Sequence, residues 1–99
     1  MAEIEVLNLA HRYADAVRQA MTPRAVFLYG SHANGNSSEN SDIDIAVVVD
    51  ELTEDDLSVA KLLWELTRNI SDEIEPVLLT PKDADSGFLQ TVEKTGIAI

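Results

Sequence analysis

The stretch LYGSHANGNSSENSDIDIAVVV, residues 28–49, joins two apolar runs through a Gly-Ser turn and a polar loop without a single Lys or Arg. It enters the second run through Asp42 and Asp44. On a strand, side chains alternate faces and rise about 3.3 Å per residue, so the two carboxylates point the same way, roughly 6 to 7 Å apart at Cα. Like charges held together repel unless they are solvated or a cation bridges them. No Lys or Arg in the stretch can do so; a metal ion could.

Carboxylate oxygens, with no Cys and no His pair beside them, suit Mg²⁺ or Mn²⁺, and Mg²⁺ completes its octahedron with waters and substrate phosphate oxygens. That points to a nucleotide. The turn supplies what a phosphate needs: Gly30 and Gly35 permit close backbone approach, backbone N–H groups can cradle an anion, and the Ser31 hydroxyl can donate to a phosphate oxygen. It is neither a Walker loop nor a dinucleotide-binding G-x-G-x-x-G turn.

Outward from this stretch the chain is periodic. Leu7, Ala10, Ala14, Val17 and Met21 recur at helical steps until Thr22-Pro23 stops them. AVFLY (25–29), IDIAVVV (43–49) and IEPVLLT (74–80) read as strands, the third at a sheet edge or bulged because Pro76 cannot donate to a ladder. Thr53 with Asp56 resembles a capping box, and Val59, Leu63, Leu66 and Ile70 mark a second helix. FLQTVEK, with Gly96 as its C′ glycine, predicts a short last helix followed by the apolar tail IAI. The expected fold is α/β (α+β): a small mixed sheet of about three strands flanked by helices, in the order α-β-β-α-β-α.

A third acid is expected from the third strand, where Glu75 shares a face with Glu73. For one sheet end to hold Gly30-Ser31, Asp42, Asp44 and Glu75, the first two strands must be antiparallel and the third parallel to the second. The helix within 53–70 is long enough for that crossover.

At 99 residues the chain has room for one domain, 1–99, with modest stability to which a partner, including a second copy, would add. There is no cysteine, hence no disulfide framework and no thiolate metal site. The first 21 residues lack the pattern of a signal peptide and no apolar run approaches membrane-spanning length, so the expected location is the cytoplasm. With 18 acidic against 7 basic residues, the net charge of −11 repels phosphate backbones and argues against direct nucleic-acid binding.

Gly30-Ser31 with Gly35, then Ser41-Asp42-Ile43-Asp44 inside apolar strands and Ile74-Glu75-Pro76 downstream, resemble the minimal nucleotidyltransferases (MNT) of the DNA polymerase β superfamily, relatives of kanamycin nucleotidyltransferase. The resemblance implies the nucleotidyltransferase fold and two-metal transfer of a nucleoside monophosphate from ATP or another NTP to a hydroxyl. In it, Asp42 and Asp44 hold two Mg²⁺ or Mn²⁺ ions and Gly30, Ser31, Gly35 and Ser41 form the nucleotide-binding turn. The third carboxylate, Glu75 in preference to Glu73, joins them as a metal ligand and helps to activate the attacking hydroxyl. Family members of this size often pair with helical HEPN-type proteins, some as toxin and antitoxin, and the resemblance implies an acceptor on such a partner. The sequence departs from the family in having His32 and Asn34 where basic residues are common, and Glu in place of a third Asp. The competing expectation is an inactive subunit that neutralises a helical partner by contact alone.

Overall fold

The structure, a computed structural model, describes residues 3–34, 42–50, 56–80 and 87–99. Its elements follow in the order α1 (Glu3–Ala20), β1 (Ala25–Tyr29), α2 (Ser31–Asn34), β2 (Ile43–Val48), α3 (Asp56–Thr67), β3 (Ile74–Leu79), α4 (Phe88–Thr95) and β4 (Ile97–Ala98). The sheet order is β3-β2-β1-β4. β1 and β2 are antiparallel, β2 and β3 parallel with α3 as the crossover, and β4 lies antiparallel along the free edge of β1.

β2 is central and apolar on both faces: Ile43 and Ile45–Val48 are all buried. Its period of two divides the core. Ile43, Ile45, Val47 and Val49 face α1 and α3, together with Val26, Leu28 and Ile74. Ala46 and Val48 face α4, where Leu89 and Val92 close a smaller cluster with Leu79. Two helices therefore cover one face of the sheet and α4 covers the other.

α1 buries Val6, Ala10, Tyr13, Ala14 and Val17, while Leu7 and Met21 pack at the margin of the stripe. Within this apolar face, the Tyr13 hydroxyl donates to the Leu63 carbonyl of α3 at 2.7 Å, and burial pushes its phenol well above the usual range. A buried hydroxyl is tolerated because it is satisfied. Tyr13→Phe should cost about 1 kcal/mol, the net worth of such a bond, and lower the melting temperature by roughly 4–8 °C. An unchanged melting temperature would show that the bond carries no net stability.

Pro76 illustrates how an edge strand accommodates proline. The Ile43 N–H donates to the Glu73 carbonyl at 2.8 Å, and the Val49 N–H to that of Leu79 at 2.9 Å. Alternate residues of a parallel strand bond the same neighbour, so 73, 75, 77 and 79 face β2 and Pro76 faces the open edge, where no donor is needed.

The structure corrects three expectations. Among the described residues the sheet has four strands, because residues 97–98 pair with Phe27 and Leu28; the Ile99 N–H donates to the Val26 carbonyl at 2.9 Å, and Arg18 holds the Ile99 carbonyl at 2.8 Å. The Gly-Ser turn contains a single helical turn, α2. Gly96 is not left-handed: its φ is −79° and ψ 167°. It is small because a Cβ would stand 2.6 Å from the Val92 carbonyl oxygen and 3.1 Å from that of Leu28, as the chain leaves α4 to enter β4. Trp64 is half exposed on α3. The Thr53 capping position lies outside the described residues. Among the described residues, no helix is long and apolar enough to cross a membrane.

Candidate functional site

The ends of three strands meet on the α4 side of the sheet. Register aligns Tyr29 of β1 with Asp44 of β2, and Asp44 with Glu75 of β3, so phenol and carboxylates form one row across the strands. They share a face because Asp44 alternates with Ala46 and Val48, Tyr29 with Phe27 and Ala25, and Glu75 with Val77 and Leu79, and the apolar members of each series belong to the α4 cluster. Asp42 is exposed immediately before β2.

The chain leaves the row at Gly30, whose φ is +75°. This is the left-handed region that glycine adopts without steric cost. A second requirement falls on the same atom: a Cβ here would lie 2.5 Å from Asp44 Oδ2. The Asp44 carboxylate thus rests against bare backbone. Ser31 follows as the first residue of α2, half-buried, and the Ala33 N–H donates to the Gly30 carbonyl at 3.1 Å.

The acids disturb one another. Partial burial raises the Asp44 carboxyl above the ordinary carboxylate range, the Asp42 charge raises it further, and His32 opposes both. Glu75 is raised chiefly by the Asp42 charge, then by desolvation, by a side-chain hydrogen bond with Asp42 and by the Asp44 charge. A hydrogen bond between two carboxyl groups needs a proton on one of them. Burial, and then the charges of Asp44 and Glu75, push the Tyr29 phenol up as well.

This is a region of concentrated negative charge that a cation would relieve. Among the described residues, no three His, Cys, Asp or Glu side chains form a ready cage for a metal ion. Mg²⁺ is commonly held by one or two carboxylates and completed by waters and substrate phosphates. Asp42 and Asp44, hard oxygen donors two residues apart and mutually repulsive, fit that donor set.

The structure brings together Gly30, Ser31, Asp42, Asp44 and Glu75. Glu75 rather than Glu73 is level with Asp44; Glu73 precedes β3, its carbonyl bonded to Ile43 and its N–H to Ser71 Oγ at 3.1 Å. Gly35 and Ser41 lie outside the described residues. Sequence reasoning missed Tyr29 and, beyond it, Phe88, whose ring meets that of Tyr29 edge-on with centroids 5.6 Å apart. The available signal was the alternation Ala25, Phe27, Tyr29, which puts Tyr29 on one face, next to Gly30.

The family model described as "Polymerase beta, Nucleotidyltransferase" matches residues 13–99. Among solved structures, a candidate nucleotidyltransferase from Sulfolobus solfataricus superposes with a TM-score of 0.70 at 23% identity, over 97% of this chain and 80% of that one. A toxin-antitoxin structure with AMP-PNP gives 0.62 at 24% identity, over 99% of this chain and 72% of the other. A variant of the toxin-antitoxin MntA-HpeT gives 0.66 at 23%, over 90% and 69%. No match is found among curated proteins. At these identities the structural likeness concerns the fold.

Proposed function

The chain belongs to the polymerase beta nucleotidyltransferase family, and from that premise we propose that it moves a nucleoside monophosphate from an NTP, with ATP foremost, to a hydroxyl on a helical partner protein of the HEPN type, as the antitoxin of a toxin-antitoxin pair. The observation that carries this reading is the row of Asp44 and Glu75, with Asp42 beside it, set against the bare backbone of Gly30. The toxin-antitoxin neighbours, one of them with AMP-PNP, support the nucleotide and the partner.

In this reading Asp42 and Asp44 hold two Mg²⁺ or Mn²⁺ ions, with Glu75 beside them. Bound ions of this kind supply Lewis-acid stabilisation of the charge that develops on phosphate oxygens. Gly30 and Ser31, with Gly35 and Ser41, bind the phosphate chain through backbone N–H groups and hydroxyls. The acceptor oxygen forms a bond to the α-phosphorus as the bond from that phosphorus to the bridging oxygen breaks, and pyrophosphate leaves. The Glu75 carboxylate takes the acceptor's proton.

The test is incubation of the chain, alone and with any copurifying protein, with Mg²⁺ and each NTP labelled at the α-phosphate. Label is expected on the partner, and Asp42→Asn/Asp44→Asn should abolish it while the two proteins still copurify. A stable complex that takes no label from any of the four NTPs would instead assign neutralisation by contact.

A further inference from the structure

One member of the row across the strands is not an acid. Register places Tyr29 of β1, Asp44 of β2 and Glu75 of β3 level with one another, so Tyr29 and Glu75 flank Asp44 from opposite sides, each one strand spacing, about 5 Å, away at Cα. The Tyr29 ring packs against the α4 cluster and meets the Phe88 ring edge-on, with planes 75° apart, so its position is fixed while the side chain stays half-buried. The charges of Asp44 and Glu75 both reach its phenol. Among the described residues, its hydroxyl has no hydrogen-bond partner. A phenol has a pKa of about 10, so at neutral pH this hydroxyl is an uncharged donor standing beside carboxylates.

In-line displacement puts the attacking and leaving oxygens on opposite sides of the α-phosphorus. With the α-phosphate at Asp44 and the acceptor's proton going to Glu75, the acceptor approaches from the β3 side and the leaving oxygen points toward β1. Chain order agrees, because Gly30-Ser31, the turn assigned to the phosphates, follows Tyr29 directly. Resting on the nucleotidyl-transfer reading, we propose that the Tyr29 hydroxyl donates a hydrogen bond to the leaving pyrophosphate. As the bond from the α-phosphorus to the bridging oxygen breaks, its electron pair stays on that oxygen, and the hydroxyl, which keeps its own proton, stabilises the charge that gathers there. Ionised carboxylates can only repel that charge; Tyr29 is the member of the row that can lower its energy.

Tyr29→Phe removes the hydroxyl and keeps the ring, so its melting temperature should match that of the original chain. Transfer of label from ATP labelled at the α-phosphate to the copurifying protein should slow roughly a hundredfold, the lower end for losing one donor to a developing oxyanion. The loss should follow the leaving group: smaller with the β,γ-difluoromethylene analogue of ATP, whose bisphosphonate is a weaker base than pyrophosphate, and larger with the β,γ-methylene analogue, whose bisphosphonate is a stronger one. Titration calorimetry of the full chain in Mg²⁺ reads the same contact without turnover: Tyr29→Phe should weaken pyrophosphate roughly tenfold, the worth of one hydrogen bond to a charged group, and leave AMP unchanged. A lower melting temperature with equal losses for pyrophosphate and AMP would make the hydroxyl structural, and a rate loss that is the same for all three leaving groups would separate it from the leaving oxygen; either overturns the proposal. If the original chain transfers label and Tyr29→Phe does so at the same rate, the proposal fails while nucleotidyl transfer stands. If the original chain neither transfers label nor binds pyrophosphate, the nucleotidyl-transfer reading fails and the proposal with it.

Discussion

Asp44→Asn is expected to cut nucleotidyl transfer by about a thousandfold, because several kcal/mol of transition-state charge stabilisation depend on a carboxylate at this position and each 1.36 kcal/mol is tenfold in rate. The same change should leave the fold at least as stable as before. Asp44 is raised above its ordinary value by burial and by Asp42, so the folded chain holds its proton more tightly than the unfolded chain does. Stability from this group is then greatest below the ordinary carboxylate value and falls as pH rises through the raised one. Asn carries no such charge. Melting curves of the two proteins taken from about pH 3 to pH 7, across the ordinary carboxylate range, should therefore diverge in favour of Asp44→Asn as pH rises. Adding Mg²⁺ at neutral pH should raise the melting temperature of the original chain more than that of the variant, since a ligand that binds only the folded state stabilises it. A variant that melts lower at neutral pH would mean that Asp44 supports the fold instead of straining it.

Gly30→Ala is the second large effect, and it arises from a backbone atom. At φ +75° an alanine costs about 1–2 kcal/mol by the left-handed penalty alone. Its methyl carbon would also have to occupy space 2.5 Å from Asp44 Oδ2, and 3.3 Å from Asp44 Cγ. The carboxylate must move, and a displacement of about 1 Å at a reacting centre can cost a hundredfold in rate. We expect a hundredfold loss of transfer together with a lower melting temperature. In an Asp44→Ala background the stability loss should shrink, because the collision is gone and only the backbone penalty remains. Transfer near the original rate in Gly30→Ala would show that the Asp44 carboxylate has room to spare.

Both effects come from a site whose outline was legible from residue types. A strand that opens with two aspartates must present them to a common partner, and that requirement, with Gly30 at one strand end and Glu75 at another, led to the pairing observed: β1 antiparallel to β2, and β3 parallel to it. The β-branched runs located β1, β2 and β3 to within a residue. What escaped was short or long-range. α2 has four residues and β4 two, too few to show a period. Gly96 follows a helix, where glycine ordinarily signals a left-handed cap; its actual constraint is the approach of the Val92 and Leu28 carbonyls, which only the folded chain brings together. Tyr29 read as an ordinary strand aromatic because its neighbours Asp44 and Phe88 are supplied by register and by the return of α4. The choice between Glu73 and Glu75 was likewise a question of register, and the pairing of Asp44 with Glu75 answers which of them is level with the row.

The most direct test of the central claim is the intact mass of the copurified partner after incubation with the chain, Mg²⁺ and ATP. The account predicts a gain of one or more whole adenylyl groups, absent when Asp42→Asn/Asp44→Asn replaces the original chain. A gain of phosphate alone, or an unchanged mass under conditions where the two proteins remain bound, would contradict it.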